Sequence, residues 1–368
     1  QFLFLAPVVI SGLLANFNSA YFKTIFSSPC IIWLLWISYS LVNTFLINEF
    51  NPPLDQNPFI FISAILISFV FFTIIVSCKE DTHALVNVLI FAFFIRLLLS
   101  YIFDTSEIIG YDVVARFGSE FNANAIAFGA LFLMVLIFLN KKINWEIGMA
   151  NLIIISLAIF TIISTGSKKT FTSLIVYGIG LIYIYRSKSF IKNITKFVLF
   201  SIIIFMCLLW VLQNTPVGAR LIDTFWKTQS VVSPEKMFDA RASYYIYGWA
   251  IFLEHPINGI GLANFSFVNK SFMSLHTEYM VQLTECGLIG TFFFISFYIY
   301  IITHLLKIRY YMPALKQLAE LHLLSILIMF ILFAGVWIYN TPFLWVLIAL
   351  AVRFIKETLE QSLNINVL

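Results

Sequence analysis

One apolar run of this chain is opened by a histidine and two carboxylates. His276-Thr277-Glu278-Tyr279 is followed six residues on by Glu285-Cys286-Gly287-Leu288-Ile289-Gly290, and the run continues over 288–302. Just upstream lie Arg241 and Glu254-His255-Pro256-Ile257-Asn258-Gly259-Ile260-Gly261. In a chain that otherwise avoids charge, ionisable groups gathered at one membrane edge mark a functional site. His276 fits three roles. Imidazole titrates near neutrality, so it can take a proton from an acceptor hydroxyl. It can orient acceptor or phosphate by hydrogen bonding. It can also simply sit in the first turn of a helix that Ser274 caps.

The arginines point to an anionic group. Arg241 and Arg220 fall in a long polar segment, and Arg116 at the mouth of an apolar run. A guanidinium presents a planar fork that matches phosphate oxygens and keeps its charge. Fixed positive charge of this kind stabilises a departing diphosphate; the plainer role is pairing with lipid headgroups. Ser164-Thr165-Gly166-Ser167-Lys168-Lys169 adds two lysines in a short turn. Lys168 and Lys169 suit an anionic ligand, or headgroup anchoring. Arg96, inside the apolar stretch 86–102, either snorkels toward Asp104 or meets a buried acid or a lipid-linked phosphate.

Glu278, Gln282 and Glu285 fall within roughly 60° of one another at 3.6 residues per turn. That is one polar stripe on an apolar helix, and it must face protein or a wet cavity. Glu278 is expected near the site and Glu285 as a structural partner of an arginine, with Tyr279 in support. His276 points roughly the opposite way. No Asp-x-Asp lies near the polar segment, so the spaced carboxylates that hold Mg²⁺ for a nucleotide-sugar donor are missing. No metal and no cofactor is expected. The four cysteines are scattered with no Cys-x-x-Cys, which argues against zinc, iron–sulfur and thioredoxin chemistry. Gly259-Ile260-Gly261 reads as a tight turn and not as a dinucleotide motif.

The elements that must position these groups follow from composition. Of 368 residues, 61% are hydrophobic and 11% charged, against roughly 25% charged in soluble chains. Apolar runs of roughly 17–20 residues match a bilayer core crossed as helix, and the short alternating segments of a membrane β-barrel are absent. Expected spans are 2–17, 30–48, 59–77, 84–102, 121–139, 147–163, 170–185, 197–212, 282–303, 319–338 and 342–355. The expected fold is therefore an all-α polytopic membrane protein of about 11–12 transmembrane helices in a single domain over 1–368, a twelfth span preceding Gln1. Lys141 and Lys142, then Arg186, Lys188, Lys192 and Lys196, then Lys307, Arg309 and Lys316 cluster in three short loops, which makes that side cytoplasmic. The segment 213–281 becomes one large external loop. Within it Tyr244, Tyr245, Tyr247 and Trp249 predict an amphipathic interfacial helix that ends at Pro256. No basic patch interleaved with aromatics points to nucleic acid; the net charge of +4 reflects orientation.

Four segments, in order, resemble the bacterial O-antigen ligase and polymerase family of membrane glycosyltransferases. They are Arg116-Phe117-Gly118 with Asn122-Ala123-Asn124; Ser164-Thr165-Gly166-Ser167-Lys168, with lysine where arginine is usual; Arg241 through His255-Pro256 to Gly259-Ile260-Gly261; and His276 to Gly290. The resemblance spans roughly 110–355. It implies a GT-C-like fold with a large periplasmic loop and a site facing the periplasm from the inner membrane. It also implies an undecaprenyl-diphosphate-linked oligosaccharide as donor. Outer arginines then bind the diphosphate (Arg241, Arg220, Arg116, with Lys168 as a point charge), while Arg241, His276 and Glu278 serve catalysis. Such enzymes work among membrane lipids, and a chain-length regulator is a further implied partner. The His-Thr-Glu-Tyr form resembles repeat-unit polymerases of O-antigen or capsule more than ligases that deliver glycan to lipid A–core. Polymerases are described with a glycine eleven residues after an arginine, and here Phe252 and Val231 stand at those places after Arg241 and Arg220. A non-enzymatic flippase of lipid-linked oligosaccharide is the rival from another class. It needs charge spread over many spans, whereas polar residues here concentrate at one face, and no pair of Gly/Pro-broken spans marks an inverted repeat.

The charge bias makes a testable topology. A cysteine placed at position 236 should react with an impermeant maleimide in intact cells, and one at 188 only after permeabilisation. The reverse pattern would put the arginines and His276 on the wrong side for an external site.

Overall fold

The computed structural model describes residues 24–47, 58–78, 81–103, 123–140, 149–165, 167–185, 240–268, 275, 277–335 and 342–365. The described residues are helical and contain no strand. In order come α1 (Ser28–Val42), running into a π-helical turn (Asn43–Ile47), α2 (Pro58–Ser77), α3 (Thr82–Phe103), α4 (Ala123–Leu139), α5 (Met149–Ser164) and α6 (Lys168–Ile184). Then follow α7 (Ala240–Glu254), the single turn α8 (Phe265–Val268), α9 (Glu278–Tyr311), α10 (Lys316–Phe333) and α11 (Pro342–Ile365).

Among the described residues, four helical stretches are long and apolar enough to cross a membrane: Ser28–Phe45, Thr82–Tyr101, Glu278–Tyr311 and Pro313–Phe333. Shorter apolar helices cover Ile65–Ser77, Asn124–Leu139 and Ala150–Ile163. The outward faces fit hydrocarbon as solvent. On α3, Val88, Phe91, Ile95 and Leu99 are exposed, and on α9, Leu288, Phe292, Ile295 and Ile299. Each set follows helical spacing, so these helices are apolar on the outside as well as the inside, which only a lipid-facing helix tolerates. The described residues are all-helical, and several of their helices are fit to cross a membrane, as in a polytopic membrane protein.

The predicted spans for α1 to α6, α10 and α11 coincide with helices; 2–17 and 197–212 lie outside the described residues. The span at 282–303 is corrected. α9 runs 34 residues, from Glu278 to Tyr311, and breaks at Gly287 (φ 63°, ψ −168°). Its N-cap is Thr277 and not Ser274, which lies outside the described residues.

The helices divide into two compact units. One comprises α3 to α6, with α4 packed against α3, α5 and α6. The Tyr101 and Thr161 hydroxyls meet there at 2.8 Å. The other comprises α1, α2 and α7 to α11. Its core is an aromatic cluster: Trp33 stacks on Trp36 (4.6 Å) and meets Trp345 edge-on (4.5 Å) and Phe297 (4.9 Å), while Phe72 closes against Phe297 and Trp345. Aromatic packing of this kind adds about 0.5–1.5 kcal/mol per pair beyond area burial. It fixes α1 between α9, α2 and α11, and α1 carries the side chains that matter below. At the α9–α10 turn, Arg309 Nε meets Glu320 Oε1 at 2.8 Å. The buried Arg353 of α11 pairs with Glu357 and donates to the Ile75 carbonyl. His322 is buried and stacks on Phe354 at 5.0 Å.

Candidate functional site

The two motif segments read from the sequence fold as one piece. After α7 the chain turns at 255–259 and lies directly across the break in α9. Leu288 and Ile289 donate backbone N–H to the Pro256 and Ile257 carbonyls (2.9 and 3.2 Å). In return Ile260 and Gly261 donate to the Thr284 and Glu285 carbonyls (3.0 and 2.8 Å). The contact is so close that only hydrogen fits at two positions. A Cβ on Gly259 (φ +69°) would lie 2.6 Å from the Glu285 carbonyl and the Gly287 nitrogen. One on Gly287 (φ +63°) would lie 2.4 Å from the Ile257 oxygen. Both backbones also take a left-handed conformation that glycine adopts freely. The tight turn expected at 259–261 is therefore there, and its purpose is the crossing.

Helix α1 closes the crossing from a third direction. Asn43 Nδ2 donates to the Asn258 carbonyl (2.6 Å) and the Glu285 carbonyl (3.2 Å). The Tyr39 hydroxyl reaches the Asn258 and Cys286 carbonyls (3.3 and 3.1 Å). Thr44 Oγ1 accepts the Leu262 N–H at 2.9 Å. A helix break frees carbonyls that have no water to turn to inside an apolar bundle, and each left unpaired costs about 1–3 kcal/mol. These side chains occupy that role. Sequence reading missed Tyr39, Asn43 and Thr44, although the cluster Ser40, Asn43, Thr44 within an apolar span was a visible signal.

The polar stripe faces protein, as expected. Glu278, Gln282 and Glu285 are all buried. Gln282 accepts from Trp36 Nε1 (2.9 Å) and donates to Glu278 Oε1 (2.7 Å). The Glu285 carboxylate accepts the backbone N–H groups of Ala263 (2.8 Å) and Phe265 (3.4 Å). Ala263 is held at φ 63°, a conformation costing about 1–2 kcal/mol for an L-residue, and the carboxylate grips its amide. Glu285 thus shapes the end of the crossing. Tyr279 lies on the exposed face and its hydroxyl donates to the Phe330 carbonyl at 2.7 Å.

Helix α7 lies along the first segment of α9. The Gly248 carbonyl accepts from Thr284 Oγ1 at 3.1 Å, and Gly248 abuts Leu275 and Met280. Further along, Pro256 and Ile257 meet Leu288 and Ile289. Gly248 thus packs against the first segment of α9, and the turn after α7 lies across the break. Arg241 is the second residue of α7, and Thr277 caps α9. From Gly248 back to Arg241, and from Thr284 back to Thr277, is seven residues each (248 − 241; 284 − 277), about 10 Å of helix. The Arg241 side chain lies outside the described residues, as do His276, Arg220 and Arg116. α7 is not amphipathic in the sense expected. It buries Gly248, Ile251 and Phe252 but exposes Ile246, Trp249 and Leu253, so both of its sides are apolar. Tyr247 and Trp249 are on the exposed side; the Tyr244 side chain lies outside the described residues.

The remaining predicted residues belong to the other compact unit. Lys168 opens α6 and is exposed, with Lys169 partly covered. The predicted turn is a helix start here, where the Ser167 and Thr170 hydroxyls meet at 2.9 Å. The Arg96 guanidinium turns to α4, with Nη1 3.3 Å from the place of a Gly129 Cβ, beside Phe93, Ser100 and Ile126. Asp104, its expected goal, lies outside the described residues. Cys30 and Cys286 are buried free thiols and Cys78 is half-buried. Among the described residues, no three His, Cys, Asp or Glu side chains group to hold a metal ion.

The crossing makes a sharp prediction about glycine. Gly287→Ala and Gly259→Ala should each sharply lower the yield of folded, monodisperse protein in detergent. The left-handed backbone alone costs a Cβ about 1–2 kcal/mol, and the backbone clash adds to that. Gly178→Ala, where nothing lies within 4 Å of the added carbon, should match wild type. Normal yield and melting temperature for Gly287→Ala would contradict the crossing. No protein-family model matches this chain, and no curated protein matches it.

Proposed function

We propose that this chain is a membrane glycosyltransferase that joins undecaprenyl-diphosphate-linked repeat units of an O-antigen or capsule. The reaction takes place at the periplasmic face of a bacterial inner membrane, within a GT-C-like fold of 11–12 spans whose large outer loop is 213–281. The observation that carries this reading is the joining of the two motif segments. The arm that bears Arg241 packs against the first segment of α9, the arm that follows His276. A donor-holding arginine and an acceptor-activating histidine need their two segments joined in this way.

The chemistry follows from the residue types. The acceptor hydroxyl attacks the donor's anomeric carbon as the bond to the diphosphate oxygen breaks. Configuration inverts, and undecaprenyl diphosphate leaves with the bonding pair. Arg241 neutralises the charge that builds on the leaving oxygens, with Arg220, Arg116 and Lys168 as further diphosphate contacts. His276 orients the acceptor hydroxyl or takes its proton. Glu278, held by Gln282, supports the same helix start. No metal enters, and a chain-length regulator is the partner such a polymerase calls for.

The test is a purified-protein assay with a lipid-linked oligosaccharide in EDTA. Wild type should extend the lipid-linked product. Arg241→Lys should be nearly as damaging as Arg241→Ala, on the order of 10²–10³ in rate, because a point charge does not replace the fork. His276→Ala should lower turnover while leaving donor binding near wild type. Activity that returns only with Mg²⁺ or Mn²⁺ would count against the metal-free reaction. Wild-type ladders from both alanine variants would remove the assigned pair. Transfer to lipid A–core but not to a second lipid-linked unit would identify a ligase.

A further inference from the structure

We propose that Asn43, on the π-helical turn after α1, is a positioning residue for the reaction, an inference that rests on the glycosyltransferase reading. Asn43 joins both arms of the crossing through a single group: one amide nitrogen serves Asn258 O of the α7 arm and Glu285 O of the α9 arm, at 2.6 and 3.2 Å, beside the Tyr39 hydroxyl that reaches Asn258 O and Cys286 O at 3.3 and 3.1 Å. The side chain is buried, and its helix is pinned by the Trp33 cluster. The two arms it ties are those that carry Arg241 and follow His276. Their relative rotation is set at the crossing, about 20 Å of helix from Arg241 (254 − 241 = 13 residues) and about 12 Å from Thr277 (285 − 277 = 8 residues). A small rotation there becomes a displacement at the far end. A π-turn inside an otherwise α-helical span widens the coil and turns side chains out of register, and such turns collect at functional sites. Here Asn43 and Thr44 both face the crossing, and Tyr39 and Ser40 face it from the turn before.

The partition of kinetic effects separates positioning from mere stability. Asn43 touches no substrate, so its loss should leave the donor site intact and spoil the alignment of donor and acceptor. Asn43→Ala in the full chain, purified in detergent and assayed with the lipid-linked oligosaccharide, should lower kcat between about 10-fold and 100-fold, the size expected for a misplacement near 1 Å. KM for the donor should stay within about 3-fold and the elution profile should match wild type. Asn43→Asp, which sets a carboxylate against two carbonyl oxygens, should fall below alanine. Asn43→His, which keeps an N–H donor at similar reach, should recover part of kcat. A protein with wild-type kcat in Asn43→Ala, or with raised KM and unchanged kcat, overturns the positioning role. So does an Asn43→His no better than alanine. If Asn43→Ala does not fold, Tyr39→Phe removes a hydroxyl that also ties the two arms, at the Asn258 and Cys286 carbonyls. Lowered kcat there supports the role, and wild-type kcat overturns it. Wild-type protein that transfers no sugar defeats the glycosyltransferase reading itself, an outcome distinct from all of these.

Discussion

Two backbones can lie against each other at hydrogen-bonding distance only where neither carries a side chain between them. That constraint at Gly259 and Gly287 governs the rest of this structure. An unbroken α9 would offer no free carbonyls and no room for a second chain. With Gly287 in a left-handed conformation, α9 opens for one residue, and the 256–261 segment fills the gap with reciprocal bonds. The arms on either side then have a fixed relation, and the polar stripe of Glu278, Gln282 and Glu285 is turned into protein.

The crossing also creates a demand that the bundle has to meet. Carbonyls exposed by a helix break in an apolar interior need donors, and mobile water is scarce there. Tyr39 and Asn43 supply them, while Thr44 accepts the one N–H that the turn leaves over. Glu285 works in the same way at the other edge, holding the amide of a residue in an unfavourable conformation. Polar side chains in these helices therefore mark places where the backbone departs from regular structure.

Much of this was open to a reader of the sequence, for particular reasons. Long apolar runs register directly as helices, so α2, for example, was found within a residue at its ends. The stripe on α9 was legible because 278, 282 and 285 share one face by helical arithmetic. The break at Gly287 was not, because Cys286-Gly287-Leu288 sits in an apolar run and glycine is common in such helices. The role of α1 was equally hidden: Asn43 and Asn258 are 215 positions apart, and no local pattern reports a contact of that range. The backbone partners of Glu285 were hidden too, since amides of a tight turn satisfy a carboxylate as a cation does and sequence does not distinguish them.

The separation between Asn43 and its partners has a consequence for the order of assembly. At synthesis rates of about 5–20 residues per second, the partner at Asn258 follows Asn43 by roughly 10–40 s. For that interval a helix otherwise fit for lipid carries the Asn43 amide and the Tyr39 hydroxyl before the carbonyls of the crossing exist, while the Thr44 hydroxyl already has the Ser40 carbonyl of its own helix. α1 has its aromatic neighbours late as well, since Phe297 and Trp345 come later still. α1 is thus a waiting template, finished last, and its wait before closure is set by the ribosome.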